Sequence, residues 1–234
     1  MKKFVTCLTA VLFIAASATA LAGNGNVQKA VGNLGNPGVL PPKASAFGKT
    51  YAEWGAAWWQ WALALPNDVN PWFDETGDMI ANGQSGHVWF LTGVVNVSGT
   101  AVRRSTIPQG KALFFPVLNS ECSNLEAPPF YGADEAALRE CEIVGNPLGP
   151  MRFAEIDGEA VKNIDQYYAL TPVYTFSVPA NNGLGVPGPA TGISVSHGIW
   201  LMLAPLSVGT HVIHFGGGDP AGFHLDITYI LTVE

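Results

Sequence analysis

The sequence predicts a mainly β protein: an antiparallel β-sandwich of jelly-roll type carrying a Trp-rich N-terminal helix and a disulfide-stapled insertion. Three observations lead there. Short β-rich runs separated by Gly, Pro and Asn recur from residue 87 to the end of the chain, and 27 Gly and 17 Pro supply the turns between them. The last run alternates, with Phe223, Leu225, Ile227, Tyr229, Leu231 and Val233 set against His224, Asp226, Thr228, Ile230 and Thr232, the period of a strand with one buried face. A composition of 48% hydrophobic and 12% charged residues with seven Trp excludes an intrinsically disordered chain. At 234 residues, one all-β domain accommodates the whole pattern.

The N-terminus reads Met1-Lys2-Lys3, then a mostly apolar run from Phe4 to Ala16, then an A-x-A site at Ala20-Leu21-Ala22 before Gly23. This is the pattern of a secretory signal peptide over 1–22, cleaved near Ala22/Gly23, and it predicts a secreted or periplasmic protein. The run is too short to span a bilayer, which takes about 20 apolar residues, and no later segment reads as transmembrane. Cleavage removes Lys2, Lys3 and Cys7 but no acid, moving the formal charge from −7 to −9. That balance argues against nucleic acid and anionic membrane surfaces as partners. Two cysteines remain, Cys122 and Cys141. In an exported chain the expectation is a disulfide between them, worth roughly 3 kcal/mol in the chain-entropy model.

Residues 23–46 are rich in Gly, Asn and Pro and read as a flexible leader, with the folded domain at 47–234. Thr50 and Glu53 have capping-box spacing and Pro66 ends the helical pattern, which predicts a helix from Tyr51 to Leu65. Trp54, Trp58, Trp61 and Leu65 form one stripe on it, with Trp59 beside them, so most of its surface should be covered. Strands are expected at 87–95, 100–107 and 111–118, with a hairpin turn at 97–100, and at 167–178, 193–204, 210–215 and 223–233. Between the two β blocks, residues 121–165 hold ten of the eighteen acids and both mature cysteines. They read as a solvated insertion.

Two constellations bear on chemistry. Exposed aromatic faces stack on sugar rings, which makes Trp58, Trp61, Trp72 and Trp89 ligand-binding candidates, although core packing is the stronger expectation for the helical pair. If the 210–215 and 223–233 strands pair so that His214 faces His224, then Asp226 shares their face, and the three side chains could hold a divalent metal. Chance placement on a polar strand face is the plainer account. Asp74-Glu75-Thr76-Gly77-Asp78 and Glu155-Ile156-Asp157-Gly158-Glu159 crowd carboxylates beside a Gly as calcium loops do, without EF-hand spacing. No cofactor is expected, with calcium or a transition metal as alternatives. Neither a G-x-S-x-G elbow nor a Ser-x-x-Lys pair is present.

The motifs Tyr51-Ala52-Glu53-Trp54, Trp58-Trp59-Gln60-Trp61, Gln84-Ser85-Gly86-His87-Val88-Trp89-Phe90-Leu91 and Pro108-Gln109-Gly110-Lys111-Ala112-Leu113-Phe114-Phe115-Pro116, running on to Asn119-Ser120-Glu121-Cys122, resemble those of a family of secreted bacterial and archaeal proteins with no assigned function. The likeness covers Tyr51 to Cys122, and more weakly Trp200 to Val233. It implies export and brings no catalytic residues. Many members of that family carry further cysteines near positions corresponding to Ile80 and Ser105, and this chain has none there. The function expected from all of this is a non-enzymatic secreted module that binds an extracellular or cell-surface, glycan-like ligand. A secreted metal-dependent enzyme using His214, His224 and Asp226, and a structural envelope or matrix protein, are the alternatives.

Overall fold

A computed structural model describes residues 36–96, 98–219 and 222–234; the expected signal peptide and most of the leader lie outside them. Helix α1 (Tyr51–Ala64) begins where the sequence places it. Thr50 Oγ1 accepts from the Glu53 amide at 3.3 Å while Glu53 Oε2 accepts from the Thr50 amide at 2.8 Å, closing the capping box. The helix stops before Pro66, with Leu65 extended as a residue ahead of proline must be. Asn70 Nδ2 then donates to the orphan carbonyls of Ala62 (2.8 Å) and Leu65 (3.3 Å).

Ten strands follow: β1 (Val88–Phe90), β2 (Thr100–Ile107), β3 (Ala112–Ser123), β4 (Met151–Ile156), β5 (Glu159–Ala160), β6 (Tyr168–Leu170), β7 (Tyr174–Val178), β8 (Ala190–Leu203), β9 (Gly209–Gly218) and β10 (His224–Val233). A short helix α2 (Glu135–Glu140) runs into one π turn between β3 and β4. The first sheet has the order β1-β3-β8-β6, with β7 also paired to β8, and the second has the order β2-β10-β9-β4-β5. The sheets face each other, with the buried rings of Phe115 and Phe215 at 4.7 Å. Helix α1 covers the opposite side of the first sheet, where Trp58 meets Trp200 edge-on at 5.6 Å. Central strands β3 and β8 are therefore covered on both faces, which is why their sequences run apolar without alternating. In β10, whose outer face is more open, Ile227, Tyr229, Leu231 and Val233 point inward as the alternation predicts.

Four expectations need correction. Both sheets are mixed rather than antiparallel throughout, because β1 runs parallel to β3 and β2 parallel to β10. The 97–100 turn is consequently no hairpin: β1 and β2 belong to different sheets, and Asn96 shapes the crossing by accepting from the Gly99 amide at 2.7 Å. The leader is not loose over its described part. Val39 and Leu40 are buried, the Leu40 amide donates to the Met202 carbonyl, and Ala204 donates to Gly38, so this segment adds a rung to the end of β8. Two apolar residues suffice for that, and Gly and Pro around them mask the signal. Finally, 151–160 is not insertion but sheet, because β4 pairs with β9. The excursion proper is 124–150, stapled by the Cys122–Cys141 disulfide.

One side chain joins the layers. Arg103 of β2 is fully buried, and among the described residues no carboxylate accepts from it. Its guanidinium donates instead to the carbonyls of Asp74 (2.7 Å), Thr92 (2.7 Å), Pro71 (2.8 Å) and Gly93 (3.0 Å) and to the Tyr229 hydroxyl. Removing it takes a donor from four carbonyls at once, although Thr92, Gly93 and Pro71 each keep one other donor. We predict that Arg103→Leu costs about 3–5 kcal/mol, because uncompensated buried polar groups are among the most destabilising lesions. Tyr229→Phe, which removes one hydroxyl from the network, should cost about 1–2 kcal/mol. Urea unfolding followed by Trp fluorescence measures both, and equal losses would show that the guanidinium is not the organising group.

Candidate functional site

The outward face of the second sheet carries the groups that the sequence singles out, in rows set by the strand register. His224 lies opposite Gly218, which lies opposite Met151; Asp226 opposite Gly216, opposite Phe153; Thr228 opposite His214, opposite Glu155. Strands stand about 4.8 Å apart, so each row is a contiguous strip. The glycine tract 216–218 presents no side chain, and the strip it occupies is a trench between a wall of Met151 and Phe153 and a wall of His224 and Asp226. The resulting cavity of about 370 Å³ is lined by Met151, Phe153, Gly217, His224, Leu225 and Asp226.

Gly216 and Gly218 are required by contact as well as by shape. A Cβ on Gly216 would sit 2.0 Å from the Leu225 carbonyl oxygen and 3.1 Å from Phe153 Cε1, and one on Gly218, at φ +138°, 2.1 Å from the Phe223 carbonyl oxygen. At the head of the trench His214 Nε2 lies 2.8 Å from Asp226 Oδ1, Nδ1 lies 3.9 Å from Glu155 Oε2, and Phe153 meets the imidazole edge-on at 4.8 Å. The imidazole is thus held on three sides and fixes one oxygen of Asp226.

This register differs from the expected one. His214 pairs with Thr228 and His224 with Gly218, instead of His214 with His224. The glycine tract 216–218 reads as loop, but a backbone ladder needs no side chains, so β9 continues through it and the turn shrinks to 219–223. His224 is left four residues, about 13 Å, along the sheet from His214. Of the expected metal set the structure brings together His214 and Asp226 and leaves His224 apart. Among the described residues no group of three or more His, Cys, Asp or Glu side chains is placed to hold a metal ion. The two acidic loops have other uses. Asp74 accepts from the amides of Thr76, Gly77 and Met79 and from the Thr76 hydroxyl, which saturates its oxygens and holds its carboxyl below the usual range, the hydrogen bonds outweighing its partial burial. Asp157 caps the start of β9.

The tryptophans leave the site altogether. Trp58, Trp61, Trp72 and Trp89 are all buried and present no ring face to solvent. Trp72 sits against Trp58 and Trp59 beneath Gly183, and the indole N–H groups of Trp58 and Trp61 donate to the carbonyls of Leu91 and Asn82. Their number reflects a helix packed between a sheet and two loops, not a binding platform.

A further arrangement escapes sequence reading because its members are far apart. Ser207 Oγ lies 3.2 Å from His211 Nε2, and His211 Nδ1 lies 2.7 Å from Asp157 Oδ2, in the order of a nucleophile, base and acid. The same Nε2 is nearer still to the Ser207 carbonyl oxygen, at 3.0 Å. The ring is held by Asp157 on one side and by the hydroxyl and main chain of Ser207 on the other, and His211 clamps the turn before β9.

No protein-family model matches the chain, and no curated protein matches it. Among solved structures, a cysteine protease inhibitor, EhICP2, from Entamoeba histolytica is 15% identical, with 64% of this chain and 100% of that chain covered, at a TM-score of 0.24. The solution structure of amebosin is 12% identical over the same shares, at a TM-score of 0.21. At those TM-scores neither likeness bears on the fold or activity of this chain.

The trench gives a separable pair of expectations. Gly216→Ala should cost about 2 kcal/mol or more, since backbone on one side and Phe153 on the other leave the methyl no room. Asp226→Asn, in a pair open to solvent, should cost under about 1 kcal/mol. Thermal unfolding of the two variants checks this, and a larger loss for Asp226→Asn would mean that the His214 contact holds the sheet rather than the site.

Proposed function

We propose that the chain is an exported, non-enzymatic module that binds a glycan-like ligand in the trench of the second sheet. The observation that carries it is the pairing of a side-chain-free floor, the glycine tract 216–218, with one apolar wall and one polar wall. A pyranose ring offers a flat C–H face and a rim of hydroxyls, and Phe153 supplies the ring contact that such a face prefers. Asp226 Oδ2, His224 and Glu155 supply partners for the hydroxyls. The glycine floor lets the sugar approach the main chain, and His214 fixes Asp226 in advance, so little ordering remains to be done on binding.

A panel of neutral oligosaccharides from plant, bacterial and animal surfaces, titrated calorimetrically, tests the proposal. Phe153→Ala should weaken binding at least tenfold, about 1.4 kcal/mol, and Asp226→Asn about fivefold. Trp72→Phe, altered only in the core, should bind as the parent does. Absence of binding across the panel, or undiminished binding by Phe153→Ala, overturns the assignment.

A further inference from the structure

The stapled excursion 124–150 reads from sequence as a solvated acidic loop, yet three of its surrounding acids point inward. The bulge in β3 between Pro116 and Leu118 shifts its side-chain phase, so that Glu121 and Ser123 lie on the helix-bearing face with Ser194 and Ser196, while Ser120 and Cys122 lie on the other with Val195 and His197. The excursion straddles this end of the sheet and sets a carboxyl on each side. On the helix-bearing face Glu121 is buried. One of its oxygens accepts from Ser194 Oγ, which is 2.9 Å from the Tyr174 hydroxyl; the other, Oε1, finds no N–H or O–H donor. What faces Glu121 there is Glu126 of the excursion, itself held at 2.8 Å by Ser123 Oγ. Two carboxyl groups gathered on one enclosed face cannot both ionise without cost, which favours keeping a proton there.

On the opposite face Glu142, one residue beyond Cys141, is fully buried. It accepts from the His197 amide at 3.2 Å and from Ser120 Oγ at 3.3 Å. The His197 ring sits 3.5 Å from it, but its Nε2 lies 3.0 Å from the Asn146 carbonyl and its Nδ1 3.2 Å from the Tyr168 hydroxyl. Burial also pushes that imidazole toward its neutral form. The guanidinium of Arg139, in α2, is committed to Glu135 and the Thr171 carbonyl. Among the described residues no lysine or arginine pairs with Glu121, Glu126 or Glu142. From every side, then, the facing groups are hydroxyls, amides, tyrosines, a neutral imidazole and one another.

We propose that the excursion is a proton-held clasp, docked across the end of the first sheet while Glu142 and the Glu121–Glu126 pair keep their protons and lifted when alkali removes them. Burial supplies the direction. It pushes Glu142 up to about 8 and raises Glu121, with the neighbouring Glu126 adding to the effect, and it raises Glu126 as well. Folded-state values above the unfolded ones mean that the stabilisation is complete below about pH 4.3 and lost as pH climbs through the folded values, through about 8 for Glu142. The Cys122–Cys141 bond limits how far the clasp can open, keeping α2 and the π turn tethered to β3.

Hydrogen exchange of the intact, oxidised protein between pH 6 and 9.5, corrected for the intrinsic base-catalysed rate, tests this. Protection within 124–150 should fall at least tenfold at pH 9.5 while β9 and β10 keep theirs, and Glu121→Gln with Glu142→Gln together should abolish the pH effect. Should that variant fail to fold, the parent's disulfide offers a second readout. Cys122 is fully buried, so its reduction by a water-soluble phosphine should accelerate with pH beyond the phosphine's own dependence measured on an exposed disulfide. Unchanged protection up to pH 9.5, or a pH effect that survives both glutamine substitutions, overturns the proposal, as does a reduction rate that merely tracks the control.

Discussion

A single buried cation holds the two sheets and the helix in one arrangement. Arg103 belongs to the second sheet, but the carbonyls it gathers belong to the connection leaving α1 (Pro71, Asp74) and to the one leaving β1 (Thr92, Gly93). A buried charge is costly unless its donors are satisfied, and here a set of main-chain dipoles takes the place of a counter-ion. The arrangement constrains its neighbours. Asp74 must offer its carbonyl inward while its carboxylate gathers the amides of Thr76, Gly77 and Met79. The loop so formed lies against β2, where Arg104 donates to the Thr76 carbonyl at 2.7 Å and Gly77, at φ +104°, passes too near the Arg104 main chain to carry a side chain. The edge of the second sheet is thereby covered.

How much of this could be read in the sequence follows from the range of each signal. The capping box, Pro66 and the β10 alternation are local, and each survives in the structure within a residue of its expected place. The mixed sheets were not legible, because nothing within Val88–Phe90 or Thr100–Ile107 says which distant strand will accept its amides. Arg103 was invisible for a related reason: an arginine in an alternating strand reads as solvent-facing, and only the convergence of two loops on it makes burial tolerable. Composition misled over 121–165, since a count of acids does not tell a solvated Glu135 from a Glu142 that is wholly enclosed.

The candidate site shows the same limits from the other side. His214 and Asp226 meet as diagonal neighbours while His224 stands apart, because glycines that read as loop are strand residues. The tract that hid the register is also what creates the trench, since each glycine removes a side chain between two walls that alternation would otherwise have filled. Aromatic richness pointed the opposite way, toward Trp58, Trp61, Trp72 and Trp89. In a three-layered molecule the large indoles are consumed between layers, and the exposed aromatics are phenylalanines and tyrosines, Phe153 of the outer sheet among them.

The disulfide and the inward carboxyls are linked by the chain itself. Glu121 precedes Cys122 and Glu142 follows Cys141, so any fold that joins those sulfurs must bring both acids to the same end of the first sheet. Strand geometry then sends Glu121 to the face opposite Cys122, and the excursion has to reach round the sheet to supply Glu126 as its neighbour. Linkage makes the relation reciprocal: whatever the staple does to favour the protonated carboxyls, the protonated carboxyls do to favour the docked staple. A loop closed only for chain entropy would be served as well by solvent-facing glutamines at these positions. Enclosing carboxyls without a cation stabilises the molecule only where protons remain bound, and it is this dependence that distinguishes the stapled end from the Arg103 junction, whose charge is permanent.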